Sequence, residues 1–145
     1  MPLHLPATLL ARIRDHGRAA YPHECCGLML GVIDAAGWHV HAVEPADNAA
    51  GDRGRDRYDL PPETYLRADR EARARGWDIV GIYHTHPDAA PHPSRTDLAE
   101  AWPAYVYLIL RVDAGQPADA AAWTLGAAAF EPVELRISPS THAGH

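Results

Sequence analysis

The chain has 145 residues, 47% of them hydrophobic and 22% charged, with a formal net charge of -6. That is the length of one domain, able to bury about two-thirds of the surface its unfolded form exposes, and the proportions exclude disorder, collagen and coiled coil. An acidic balance of 13 basic residues, all Arg, against 19 acidic ones lacks the clustered basic surplus that duplex binding uses, which weighs against nucleic acid as the main partner.

The opening MPLHLPATLLARIRD has neither the cationic lead nor the uninterrupted apolar run of a secretory signal, and no later stretch is long and apolar enough for a membrane span, so a cytoplasmic protein is expected. Pro6 and the following ATLLARIRDHGRAA predict a first helix, with Leu9, Leu10 and Ile13 on one side, ending before Pro22. Cys25 and Cys26 are adjacent, where a disulfide would be strained and would cross-link nothing distant, so reduced thiols are expected. A buried strand is predicted over Gly27 to Val32, a turn over Asp34 to Gly37, and a hairpin partner over Trp38 to Val43.

Residues 44–57 are polar, glycine-bearing and without period, and predict a surface loop, with nothing in the sequence to say whether it gates a site. Pro61 and Pro62 open a second helix through Arg75, stopped by Gly76, with Arg67 to Arg75 as its solvated face. WDIVGIYHTH predicts a central buried strand with two histidines at its C-terminal end, and PDAAPHP a loop. SRTDLAEAW has helical character until Pro103, AYVYLILRV is the strongest strand signal, and further strands are predicted near 120–125 and 130–137. One domain over residues 1–137 and a flexible tail over 138–145 follow.

In a strand, residues i and i+2 share a face, so His84 and His86 set two imidazoles side by side. Asp97, at the start of the helix after the loop, can add a carboxylate oxygen. Two imidazoles, one carboxylate and an open fourth position make the coordination of a catalytic zinc, one ion per chain. Ser94 to Asp97 also fits the S-x-x-D capping pattern, in which the two side chains satisfy free amides at a helix start. His92, in a proline-flanked loop, is expected to be solvated.

The string His84-Thr-His86, seven residues, Ser94, two residues, Asp97 resembles, without a mismatch, the JAMM motif of the JAB/MPN/Mov34 metallopeptidases. Tyr21-Pro-His-Glu24-Cys-Cys-Gly resembles that family's upstream segment, and the likeness extends through the Arg57 to Pro62 stretch, Val80-Gly81 and the strand after Trp102-Pro103. The resemblance implies a mixed α+β fold, a curved mixed sheet flanked by helices around a cytidine-deaminase-like core. It implies Glu24 as general base, a role the residue's own surroundings in sequence do not single out, and Ser94 as donor to the oxyanion.

The long insertions of the eukaryotic deubiquitinating members are missing, and the chain looks like the small stand-alone prokaryotic members. That resemblance implies a zinc-dependent hydrolase of peptide or isopeptide bonds at the Gly-Gly end of a ubiquitin-like or ThiS/MoaD-type sulfur-carrier protein. The rival readings are a non-enzymatic MPN scaffold that binds zinc, a cysteine protease using Cys25 or Cys26, and a nucleobase deaminase. The last lacks its H-x-E and P-C-x-x-C signature here.

Overall fold

The computed structural model describes residues 1–46, 60–94, 97 and 104–139. Among these residues the strands and helices with described bounds run in the order β1 (Leu3–Pro6), α1 (Ala7–Ala20), β2 (Cys26–Asp34), β3 (Gly37–Ala46), α2 (Pro62–Ala74), β4 (Asp78–Pro87), β5 (Val106–Asp113), β6 (Gln116–Leu125), β7 (Phe130–Val133) and β8 (Leu135–Ser138). The strands form one mixed sheet in the order β7-β6-β5-β4-β2-β3-β1-β8, with β4 parallel to β5, β1 parallel to β3 and β8, and the rest antiparallel. The two edge strands, β7 and β8, are consecutive in the chain with only Glu134 between them. A sheet whose two ends are joined by one residue must curl until those ends meet, so connectivity alone imposes the curvature.

The helices cover opposite faces. On the α1 face lie Leu3, Leu5, Ile13, Met29, Tyr83, Leu108 and Leu110. On the α2 face lie Leu28, Leu30, Ala68, Ala72, Ile79, Ile82 and Tyr107. Adjacent strand residues such as Leu28 and Met29, or Ile82 and Tyr83, fall on opposite faces, as the pleat requires. Burying each leucine fully contributes about 2 kcal/mol. Strand β4 departs from strict alternation, because the pairing with β2 passes from Gly81 to Ile79 and skips Val80. This bulge turns Val80 to the α1 face while His84 and His86 keep the α2 face.

Helix α2 approaches the sheet through Thr64, Ala68 and Ala72, small residues four apart that form its buried stripe. It stops at Gly76, φ 76°, with the Trp77 amide donating to the Ala72 carbonyl (2.8 Å) and the Gly76 amide to the Arg73 carbonyl (3.1 Å), the paired closure that left-handed glycine permits.

Most expected elements are in place, with three differences. Strand β1 was not anticipated: four residues give no period, and His4 and Pro6 conceal it. The strand expected over 130–137 is two, since Pro132 and Glu134 interrupt it and its halves join opposite edges of the sheet. Strand β3 runs on to Ala46, into the expected loop, whose residues 47–57 lie outside the described ones; so does most of the helix expected after Ser94, of which only Asp97 is described, as helical. Ser138 closes β8, and residues 140–145 of the expected tail lie outside the description. No helix among the described residues is long and apolar enough to cross a membrane.

Candidate metal centre

The last residues of β4 carry His84 and His86 on one face with ring centroids 5.1 Å apart, the first ring fully buried and the second 8% exposed. Thr85 between them points to the other face, where its Oγ1 accepts the Cys25 amide at 2.8 Å while its own amide donates to the Cys25 carbonyl at 3.0 Å. Cys26 stands opposite His84 in the ladder, so the chain entering β2 passes directly beside the histidines. Glu24 is thereby carried in, buried, with Oε1 3.6 Å from His84 Nδ1. Single donor atoms of Glu24, His84 and His86 lie within 4.8 Å of one another, the one group of three His, Cys, Asp or Glu side chains so close among the described residues.

Asp97 enters from the other side. Its amide donates to Ser94 Oγ (3.1 Å) and the Ser94 amide donates to its Oδ2 (2.8 Å), the two-way cap that the S-x-x-D spacing predicts. The same carboxylate reaches the imidazoles, Oδ2 at 3.2 Å from His86 Nε2 and Oδ1 at 3.6 Å from His84 Nε2. Capping and contact with the histidines are therefore simultaneous. The Ser94 hydroxyl accepts from Asp97 and keeps its own proton to donate.

His86 Nδ1 lies 2.9 Å from the Ala90 carbonyl, which can only accept, so that nitrogen carries a proton; Nε2, 3.2 Å from Asp97 Oδ2, donates to that carboxylate when protonated and is the nitrogen that offers a lone pair when it is not. Burial opposes charge on His86, yet the bonds to Asp97 and to Ala90 outweigh it and raise its pKa above the usual imidazole value. For Asp97, burial pushes the carboxyl up, but the hydrogen bond to His86, the charge of His84 and the Ser94 amide prevail and hold it below the usual range.

The donor set is two imidazoles and two carboxylates, nearly dry. Nitrogen and carboxylate oxygen donors so arranged fit a borderline divalent ion such as zinc, with His86 already held by the outer partner that ligating histidines need. Four side chains fall outside it. His92 is exposed and packs edge-on to Trp123 at 5.4 Å, His23 is exposed, and Cys25 and Cys26 are buried and form no disulfide. Burial pushes the Cys25 thiol up to about 12, which disfavours a thiolate at that residue at neutral pH and weighs against Cys25 as a protease nucleophile.

Sequence reasoning did not find the Ala90 carbonyl or the Cys25–Thr85 pair. Both act through the backbone, and no residue pattern announces them.

The family described as prokaryotic homologs of the JAB domain matches residues 6–126. Over 107 residues, 73% of this chain and 75% of the relative, the sequence is 38% identical to the desampylase of Haloferax volcanii. A solution structure of a protein from Desulfitobacterium hafniense shares 25% identity and superposes with a TM-score of 0.84, covering 97% of this chain and 96% of that one. The crystal structure of a JAB1/MPN domain protein from Archaeoglobus fulgidus, 18% identical, shares the fold with a TM-score of 0.58 over 94% of this chain and 98% of that one.

Proposed function

This chain belongs to the family of prokaryotic homologs of the JAB domain, and from that premise we propose that it is a zinc-dependent isopeptidase or peptidase acting at the C-terminal end of a ubiquitin-like protein. The observation that carries the proposal is the buried convergence of Glu24, His84 and His86, with Asp97 against both rings. The similarity to a desampylase supports the substrate class. Sulfur carriers with a Gly-Gly end are the finer substrate within this reading, and the cytoplasm its location.

His84, His86 and Asp97 would hold the ion. The assignment of Asp97 as a ligand is supported by its oxygens lying against the Nε2 atoms of both imidazoles. Glu24, also within 4.8 Å of donor atoms of both imidazoles, lies 3.6 Å from Nδ1 of His84 and is assigned the proton-carrying role. A bound zinc supplies Lewis acidity, polarising the scissile carbonyl and making water acidic enough to attack near neutral pH. Glu24 takes the proton from the attacking water and delivers it to the leaving amine, one carboxyl serving both halves of the reaction. The Ser94 hydroxyl, whose proton its cap bond leaves free to donate, points a hydrogen bond at the oxyanion; losing such a donor costs about 10²–10³ in rate.

The test is incubation of the zinc-loaded protein with two ubiquitin-like substrates, one joined to a lysine side chain and one carrying a linear extension after Gly-Gly, read by mass spectrometry. Release of the free Gly-Gly end from either one is expected. One zinc per chain with neither substrate cut would leave the non-enzymatic scaffold as the better reading.

A further inference from the structure

The segment bearing Glu24 is tied to the strand bearing the histidines at a second point, outside the metal-lining side chains. Tyr21 follows α1 and precedes Glu24 by three residues, and its hydroxyl donates to Asp88 Oδ2 at 2.6 Å. Asp88 lies two residues beyond His86. Its other oxygen, Oδ1, accepts the Ala114 amide at 2.7 Å, and its own amide donates to the Val112 carbonyl at 2.8 Å. Its backbone is left-handed, φ 56°, a conformation that aspartate tolerates better than most residues. Although Asp88 is exposed, its second oxygen and its backbone amide are both bonded, which holds the acceptor facing Tyr21. The Tyr21 ring in turn lies against the turn between β5 and β6, where Cδ2 would be 3.7 Å from a Cβ on Gly115.

Glu24 therefore sits between two anchors. Cys25 is bonded twice to Thr85 on one side of it, and Tyr21 is bonded to Asp88 on the other. As the first segment runs back from Cys25 to Tyr21, the second runs forward from Thr85 to Asp88, and His86 lies within that span. Two fixed points leave the carboxyl-bearing residue little freedom to drift relative to the imidazoles, and a drift of about 1 Å costs an acid–base group much of its effect.

We propose that Tyr21 and Asp88 are positioning residues, whose hydrogen bond sets the distance between Glu24 and the His84–His86 pair. This rests on the reading of Glu24 as the proton carrier. Tyr21→Phe removes the donor alone. Asp88→Asn removes the carboxylate while keeping the shape and the tolerance for a left-handed backbone.

Three measurements decide it: amide hydrogen exchange at His23 and Cys25 in the metal-free protein against Met29 and Leu108 in the core, zinc per chain, and kcat and KM on a ubiquitin-like substrate. Each variant should speed exchange at His23 and Cys25 by about tenfold with the core amides unchanged, and keep one zinc per chain. It should also lower kcat by about tenfold with KM within about twofold, and the double variant should be no slower than the slower single one. An unchanged kcat, unchanged local exchange, or a uniform acceleration of exchange with activity lost in step with zinc overturns the proposal. Should the wild type cut no substrate, the functional reading falls, and the exchange measurement alone decides whether the tie holds the Glu24 segment in place.

Discussion

Cys25 and Thr85 bond each other twice, amide to Oγ1 at 2.8 Å and amide to carbonyl at 3.0 Å, although 60 residues separate them. Both are buried, so the Cys25 amide has no water to fall back on. Thr85→Val leaves it without an acceptor and is expected to destabilise the fold by about 1–3 kcal/mol, whereas Thr85→Ser keeps the oxygen and loses a methyl worth about 1 kcal/mol. Urea unfolding of the two variants separates these terms. No loss in Thr85→Val beside a loss in Thr85→Ser would mean that the hydroxyl contributes nothing and that packing of the methyl against α1 is the whole effect.

The two carboxylates of the centre should divide by substitution. Glu24→Gln is expected to retain one zinc per chain and lose turnover by at least about a hundredfold, since the amide cannot carry the proton. His84→Ala and Asp97→Asn should lose both zinc and activity, and Asp97→Asn also weakens the cap on Ser94. Metal analysis beside a turnover assay checks the division. A Glu24→Gln protein cutting at near the wild-type rate would refute the proposed base.

The sequence carried the two-histidine geometry because a strand's period of two is a local property, and it carried the cap because S-x-x-D is equally local. Glu24 was not local. Nothing near it in sequence marks it out, and only the antiparallel pairing that sets Cys26 opposite His84 brings it in. The same limit hid Tyr21 and Asp88, 67 residues apart and meeting only after the sheet has formed. It hid β1 and the division of β7 from β8 as well: these short strands owe their existence to pairing with one another's neighbours around the curl rather than to their own composition.

Metal-free and zinc-loaded protein should respond to pH in opposite senses. The folded pKa of His86 is raised, so its contribution to the metal-free fold is complete below the unfolded value of about 6.5 and is lost as pH rises through the folded one. Asp97 is depressed, so its contribution is present above about 3.9 and is lost as pH falls through its folded value. The metal-free pair is thus best held between about pH 4 and 6.5. Zinc needs His86 Nε2 unprotonated, so its affinity should fall by about tenfold per pH unit below the folded pKa of His86. The rise in Tm produced by zinc is expected to shrink from pH 8 to pH 5. A rise that stays constant over that range would exclude His86 as a ligand.

The buried thiols give a chemical control. With its pKa pushed up to about 12 by burial, Cys25 should not react with iodoacetamide in the native protein at pH 7.5, and full activity should survive the treatment. Denatured protein should take up two labels, one for each of its cysteines. Rapid native labelling accompanied by inactivation would return the cysteine-protease reading to consideration.

Gly27 shows how tightly the α1 face is closed behind the centre. A Cβ there would run into the Tyr83 ring, contacting Cε2, Cζ and the hydroxyl oxygen. That ring has nowhere to go. It is fully buried, and its hydroxyl stands 2.7 Å from His16 Nδ1 on helix α1, so moving it breaks a hydrogen bond as well as packing. Gly27→Ala is therefore expected to cost about 1–3 kcal/mol by overpacking, despite the better strand propensity of alanine. Gly27→Ala combined with Tyr83→Phe tests the cause: if the clash with the hydroxyl dominates, the pair should recover part of the loss relative to the sum of the single changes, measured by urea unfolding. Strict additivity would instead put the cost in the ring carbons Cε2 and Cζ, which phenylalanine keeps, or in the strand backbone.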